Sequence, residues 1–352
     1  MWKGLSGSRV RLADIKGQHT AIRTLLSSIQ RSSVAHAYLF TGPRHTGKTS
    51  TALAFASALN CANPTAEGDA CGNCLSCLRI EAQNDADTQV ISPSGNQTKI
   101  QQVHEMIRSL SYAPLSGKYR IFIIEQANTL NPSSENAILK ILEEPPSYAV
   151  LILVCTNPNS LLPTIRSRCV TVRFRPQRIR DIEEILKKQF DLPEQDIRLI
   201  ASCSQGALGR ALEMAASPTF MEERKFVLEQ LKELLCGPDV LSIRTAEALR
   251  KRAEPRKNSE DDRTRVQRLV EMLEYILNWY ADILALKIHG EDAPLVNLDF
   301  QDDLRFLAER YSKHKAEQCL KTILATRFYI EGNITPQLAL ENMFFDLHPS
   351  RD

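Results

Sequence analysis

The sequence predicts an α/β domain with a parallel sheet and a zinc-binding insertion, followed by two all-α regions. A G-x-x-x-x-G-K-T motif occupies residues 42–49 and directly follows a short apolar run. Short apolar segments alternate with amphipathic ones as far as about residue 175, which is typical of a parallel α/β sheet. Beyond that residue the strand signals fade and helical periodicity takes over.

The size and charge of the chain limit its class. Its 352 residues exceed what one core usually covers, so we expect two or three domains. The 44 Lys and Arg residues nearly balance the 42 Asp and Glu residues, which argues against a broad nucleic-acid-binding surface. Any contact with DNA would therefore come from a local patch or from an assembly.

The same composition predicts a cytoplasmic protein with no membrane partner. Residues 1–8 lack the apolar core of a signal peptide, and the longest clean apolar run, 149–155, is too short to span a bilayer. The nine cysteines are then expected to be thiols or metal ligands rather than disulfides.

The elements of the first half follow from apolar spacing. Continuous apolar runs such as 119–124 are typical of buried parallel strands. Asn131 followed by Pro132 is a typical helix start, and that helix ends before Pro145. The predicted strands are 37–40, 88–91, 119–124, 149–155 and 170–174, and the predicted helices are 14–30, 50–56, 100–110 and 131–144.

The second half is predicted to be helical throughout. Short helices between Arg180 and Glu213 form a small domain, and helical periodicity then runs through 266–284 and recurs around 304–307, 320–324 and 338–345. The mixed-sign run 251–265 favours a solvated connector over a nucleic-acid patch. The predicted domains are 1–176, 177–236 and 237–352.

The motif at residues 42–49 predicts a site for a nucleotide, ATP with Mg²⁺, although a Gly-rich turn without a ligand is the alternative. Its glycines let backbone amides and a helix N-terminus face a polyphosphate. Lys48 can reach the outer phosphates, and the Thr49 hydroxyl can bind Mg²⁺. The predicted binding residues are Gly42, Pro43, Arg44, His45, Thr46, Gly47, Lys48, Thr49 and Ser50.

Polar residues at the strand ends bear on hydrolysis. Glu125 ends one predicted strand and could join the Mg²⁺ shell, or it could be an ordinary solvated acid. Gln126 follows it and cannot act as a general base, because an amide has no carboxylate to take a proton. Asn157, after the next strand, could sense a γ-phosphate. We expect ATP to bind and to be hydrolysed poorly.

Four cysteines predict a metal site. Cys61, Cys71, Cys74 and Cys77 have the spacing C-x9-C-x2-C-x2-C, and four thiolates suit a tetrahedral, structural Zn²⁺. An iron–sulfur cluster would need a further cysteine where Glu81 stands. Unligated thiols remain the other alternative.

An arginine before the last strand has two interpretations. Arg168, within the sequence Ser167-Arg168-Cys169, could be an ordinary surface residue. It could instead be offered to the nucleotide of a neighbouring subunit, where it would stabilise the charge that builds up during phosphoryl transfer.

These motifs together resemble the AAA+ clamp-loader subunits of bacterial DNA polymerase III. The stretches that carry the resemblance are 36–43, 71–77, 136–146 and 161–169, with a looser match at 333–341. The resemblance implies a nucleotide-binding domain, a helical lid and a helical collar. It also implies a ring of five subunits, with gamma/tau and delta subunits as partners, that opens a sliding clamp and places it on primed DNA.

The resemblance also assigns roles to residues. Arg168 looks like the arginine finger that this family supplies in trans, and Gly17 and Gln18 look like the box that borders the adenine. Two positions depart from the hydrolysing subunit: Glu125-Gln126 replaces its Asp-Glu pair, and Gly209 stands where its lid carries an arginine. Both departures point to a subunit with degraded ATP handling. A gamma/tau-type motor ATPase and an unrelated zinc-bearing NTPase remain alternatives.

Overall fold

A five-stranded parallel sheet organises the first half of the protein in a computed structural model, which describes residues 11–93, 98–254, 264–332 and 335–349. The strands, in the spatial order β2-β3-β4-β1-β5, confirm the predicted sheet. They are β1 (Ala37–Thr41), β2 (Thr88–Ile91), β3 (Arg120–Ile124), β4 (Ala149–Cys155) and β5 (Val170–Arg173).

Helices cover both faces of this sheet. Every residue of β1, β3 and β4 is buried, because alternate side chains enter separate apolar clusters on the two faces. The helices of this part are α1 (His19–Gln30), α2 (Lys48–Leu59), α3 (Leu75–Glu81), α4 (Ile100–Leu110), α5 (Pro132–Glu143) and α6 (Pro163–Arg166).

The first helix differs from its prediction at its start. The sequence pattern placed its beginning at Asp14, whereas α1 begins at His19 and a separate 3-10 turn occupies Leu12–Asp14. Gly17 separates the two, because its φ of +75° is a left-handed conformation that an α-helix does not contain. Apolar periodicity alone could not reveal this break.

The remainder of the described chain is helical, as predicted. The longest helix packs against four other helices and buries Trp279 and Tyr280. These helices are α7 (Ile179–Gln189), α8 (Glu194–Cys203), α9 (Leu208–Ala216), α10 (Phe220–Cys236), α11 (Leu241–Arg252), α12 (Arg265–His289), α13 (Gln301–Arg310), α14 (Lys313–Glu331) and α15 (Pro336–Leu347). Within the described ranges, none of the helices has both the length and the apolar character needed to span a membrane.

The chain divides into two compact units. The first ends at Ile182 and also includes Gly206–Arg210, and the second comprises Glu183–Gln205 and the chain from Ala211 onward. The predicted connector is helical at its beginning, since Lys251 and Arg252 end α11, and its central residues 255–263 lie outside the described residues. Residues 1–8, which bear on the signal-peptide argument, and residues 333–334 also lie outside them.

Candidate functional site

The predicted phosphate-binding loop lies between β1 and α2. Its backbone is left-handed at three residues: Gly42 has φ +146°, His45 +58° and Gly47 +86°. A Cβ atom at Gly42 would lie 2.3 Å from the carbonyl oxygen of Phe174, so only glycine fits there. His45 adopts this conformation without being glycine, at a cost of about 1 kcal/mol.

Lys48 is the buried cation of this loop. This residue is the first of α2 and is 7% exposed. Its Nζ donates hydrogen bonds to the carbonyl oxygens of Gly42 (2.8 Å) and Pro43. An ammonium has three donors, so one remains for an anion. Burial lowers the pKa of Lys48 to about 8, and the nearby positive charge of Arg44 adds to this effect.

The other residues of the loop differ in how much of each is exposed to solvent. The hydroxyl of Thr46 is buried and donates to the carbonyl oxygen of Pro43 (2.9 Å), which braces the loop. Pro43, Arg44 and His45 are exposed, and Thr49 and Ser50 are half-buried in the first turn of α2. The amides at the start of α2 and the free donor of Lys48 form an arrangement suited to a polyphosphate.

The strand-end residues lie at the same edge of the sheet. Asn157 follows β4, the direct neighbour of β1, and its Oδ1 accepts a hydrogen bond from the amide of Asn159 (2.9 Å). Glu125 follows β3, which β4 separates from β1, and its Oε2 accepts a hydrogen bond from the Ser92 hydroxyl (2.6 Å). Gln126 is exposed, with φ +47°. The structure therefore brings Glu125 and Asn157 to the loop's edge, each with a partner of its own.

Gly17 and Gln18 connect the N-terminal segment to the chain after β5. Gln18 is 4% exposed and pairs with the backbone of Arg175, donating to its carbonyl oxygen (2.8 Å) and accepting from its amide (3.3 Å). A Cβ atom at Gly17 would lie 2.1 Å from Cδ of Gln177. Both residues hold this segment together, and their predicted place beside an adenine remains a prediction.

Arg168 lies at the opposite edge of the sheet from the loop. It precedes β5, which runs parallel to β1, whereas Gly42 follows the end of β1. The four residues of β5 span on the order of 13 Å, which separates the two ends. Arg168 therefore lies away from the phosphate-binding loop of its own chain.

The four predicted cysteines do come together. All their Sγ atoms lie within 4.8 Å of one another, with Cys61–Cys74, Cys61–Cys77 and Cys74–Cys77 at 3.9, 3.7 and 3.4 Å. Four thiolates bound to one Zn²⁺ at about 2.3 Å lie about 3.8 Å apart, so the observed spacing fits this ion. Cys71 accepts hydrogen bonds through its Sγ from the amides of Asn73 (3.4 Å) and Cys74 (3.3 Å).

The four thiols differ in their pKa shifts. Burial opposes charge on Cys74, but hydrogen bonds, first among them those from the backbone amides of Cys77 and Ala62, outweigh it and lower the pKa of Cys74 to about 6. Amide hydrogen bonds also lower the pKa of Cys71, whereas burial raises the pKa of Cys61 to about 12 and raises that of Cys77. A thiolate is the form of cysteine that binds metal ions. The four sulfur donors and their spacing fit a structural zinc.

Sequence reasoning missed the residue that anchors this cysteine segment. Asp69 is 5% exposed, and its carboxylate accepts hydrogen bonds from the amides of Leu12 (3.0 Å), Ala13 (2.9 Å) and Ala70 (2.7 Å). It thus ties the segment to the 3-10 turn before α1. An aspartate in a polar loop carries no sequence signal of partners 56 and 57 residues away.

Comparison with known proteins shows that this chain is similar to subunits of DNA polymerase III. Models described as the DNA polymerase III delta subunit and its C-terminal part match residues 17–178 and 260–348. The DNA polymerase III subunit delta' of Bacillus subtilis is 28% identical over 326 residues, which are 93% of this chain and 94% of that protein.

Other relatives share only part of their length with this chain. The DNA polymerase III subunit tau/gamma of Haemophilus influenzae is 32% identical over 228 residues, which are 63% of this chain and 33% of that protein. The chain thus spans nearly all of the delta' relative and only a third of the tau/gamma relative. A solved gamma subunit-related protein from Thermotoga maritima has a TM-score of 0.44 and 19% identity, covering 92% of this chain and 96% of its own.

Proposed function

Because this chain belongs to the DNA polymerase III delta subunit family, we propose that it is a delta'-like subunit of the bacterial clamp loader. In this role it helps to load the sliding clamp on primed DNA during replication. The observation that carries the proposal is the end-to-end match to a delta' subunit, over 93% of this chain and 94% of the relative.

We propose that the loop at residues 42–49 holds ATP with Mg²⁺ and that hydrolysis there is slow. Lys48, with two of its donors on loop carbonyl oxygens, would offer the third to a phosphate. Thr49 and Glu125 would complete the surroundings of the Mg²⁺. Gln126 has no carboxylate with which to activate water, so the hydrolytic half of the site is missing.

Arg168 would act on the ATP of a neighbouring subunit as an arginine finger in trans. Its position at the sheet edge opposite its own loop supports this role, because it cannot serve both ends of one sheet. An arginine in this role stabilises the charge of the transferring phosphoryl group and is worth about 10³–10⁵ in rate.

The remaining parts would serve assembly and stability. Residues 1–176 would form the nucleotide-binding domain, 177–236 the lid and 237–352 the collar that joins gamma/tau and delta subunits in a five-subunit ring. Zn²⁺ at Cys61, Cys71, Cys74 and Cys77 would be structural, because four thiolates leave no open coordination position for catalysis. Contacts with the sliding clamp and with primed DNA would be made through the assembly.

One experiment tests the proposal. The purified full chain is mixed with gamma/tau and delta subunits, and complex formation is followed by size-exclusion chromatography while the ATPase rate of the chain alone is measured. We expect a stable complex together with turnover far below that of a gamma/tau subunit. Absence of any complex would contradict the clamp-loader role.

A gamma/tau-type motor ATPase is the second candidate, because the loop and Lys48 have the full geometry of a phosphate site. The two candidates differ in the turnover of the isolated chain. Rapid steady-state hydrolysis by the pure protein, lost in a Lys48→Ala variant, would favour the motor subunit and exclude the delta'-like role.

A further inference from the structure

The phosphate-binding loop is contacted by the first turn of α9. The amide of Gly209 donates a hydrogen bond to the carbonyl oxygen of His45, with an N–O distance of 2.9 Å. The two residues belong to the same compact unit although 164 positions separate them in the sequence (209 minus 45). The contact therefore joins a segment distant in sequence to the middle of the loop.

The contact satisfies both of its partners. The first amides of an α-helix have no acceptor within the helix, and Gly209 is the second residue of α9. His45 is exposed and left-handed, so its carbonyl oxygen is directed by an unusual backbone conformation. This hydrogen bond gives an acceptor to an amide in the first turn of α9. It also restrains His45, the non-glycine residue of the loop that has a left-handed backbone.

Only glycine allows this approach. A Cβ atom at residue 209 would lie 2.9 Å from the carbonyl oxygen of His45, closer than a carbon and an oxygen can approach without a shift. A second glycine fixes the other end of the segment: Gly206 accepts a hydrogen bond from the amide of Gln177 (2.8 Å), and a Cβ atom there would lie 2.6 Å from the carbonyl oxygen of Gln177.

We infer that Gly209 is a positioning residue of the nucleotide site, which holds the phosphate-binding loop in its binding shape through the carbonyl oxygen of His45. This inference rests on the proposed binding of ATP at that loop. It gives a physical meaning to the missing lid arginine: the carbonyl oxygen of His45 occupies the space that a side chain at residue 209 would need. A side chain at residue 209 would break the hydrogen bond to His45.

The test compares Gly209→Ala with the wild-type full chain. Alanine is a better helix former than glycine, so a less ordered loop in this variant could not result from a weakened helix. Loss of one hydrogen bond worth about 1 kcal/mol corresponds to about a fivefold change. We expect about fivefold faster hydrogen exchange at the amides of residues 44–48 without nucleotide, and a similar weakening of Mg-ATP binding.

Gly290→Ala is the matched control. A Cβ atom at residue 290 would meet nothing within 4 Å, but the φ of +64° strains any residue with a side chain. This variant therefore reports the effect of general destabilisation in the second unit. We expect it to leave the exchange of the loop amides and the affinity for Mg-ATP unchanged. Unchanged loop exchange in a folded Gly209→Ala protein would overturn the inference.

Two further measurements keep the inference testable if the variant fails to fold or if no nucleotide binds. In the wild-type chain the amide of Gly209 itself must exchange slowly, and rapid exchange there would overturn the contact. A wild-type chain that binds no Mg-ATP would remove the proposed nucleotide function, whereas the loop exchange would still decide the role of Gly209. A gain of ATPase activity in Gly209→Arg would also contradict the inference.

Discussion

Nη2 of Arg168 lies 3.1 Å from Oε1 of Glu143, the last residue of α5. The same guanidinium donates through Nη1 to the carbonyl oxygen of Thr164 in α6, also at 3.1 Å. The arginine thus links the C-terminal residue of α5, near which a positive charge is favoured, to the second residue of the short helix α6. Because the two charged side chains are 37% and 55% exposed, the pair contributes at most about 1 kcal/mol. A phosphate from a neighbouring subunit could therefore replace Glu143 at little cost.

The first prediction concerns that exchange of partners. Glu143→Gln removes the charge of the partner and should lower the free energy of unfolding by less than about 1 kcal/mol, because solvent screens the pair. Urea denaturation measures the change. Glu144→Gln alters the adjacent exposed acid and is the control. A loss of several kcal/mol in Glu143→Gln alone would show that the arginine is committed to its own chain.

The second prediction concerns Arg168 in the assembled ring. Arg168→Ala should leave the folding and the nucleotide binding of this chain intact. It should reduce hydrolysis at the neighbouring site that it faces by about 10³-fold or more, because a transition-state charge loses its partner. Arg166→Ala is the control, since Arg166 donates to Asn159 in its own chain (2.7 Å) and should not affect the ring. The same ATPase rate in Arg168→Ala and wild-type rings would contradict the assignment.

The third prediction concerns zinc. We expect one Zn²⁺ per chain by elemental analysis, and we expect Cys74→Ser to lose it together with stability on the order of 3 kcal/mol, because a structural site lacks one ligand. Cys236→Ser changes an exposed thiol outside the cluster and should retain the metal. Zinc content that does not differ between the two variants would show that Cys74 is not a ligand.

The fourth prediction follows from the lowered pKa of Lys48, which is about 8 because the ammonium is buried. If only the ammonium form binds phosphate, the affinity for Mg-ATP should fall about tenfold between pH 7 and pH 9. Calorimetry at the two pH values measures the change. Lys48→Met should bind weakly at both, and an equal fall in wild type and variant would mean that another group titrates.

The contribution of Lys48 to the free energy of unfolding should instead increase with pH, over a range above pH 8. Between pH 8 and about 10.5 the unfolded lysine holds a proton that the folded residue has released. The free energy of unfolding therefore rises with pH across this window through this residue. Denaturation of wild type and Lys48→Met at pH 8 and 10 isolates the contribution.

Local patterns in the sequence were enough to predict most of the first unit. Local spacing gave all five strands within a residue or so. The signal is strongest for β1, β3 and β4, because a strand buried on both faces is apolar along nearly its whole length. The phosphate-binding loop and the cysteine cluster were also predictable, since their chemistry depends on residues that are near one another in the chain.

The sequence by itself therefore determined the strand segments, the loop at residues 42–49 and the four thiols, all of which depend on short-range spacing. Only the tertiary structure decided what surrounds them: Asp69 under the 3-10 turn, Glu143 beside Arg168, and Gly209 against His45. These contacts join residues 25 to 164 positions apart (168 minus 143 and 209 minus 45). No periodic pattern links such positions, because packing of the folded chain brings them together.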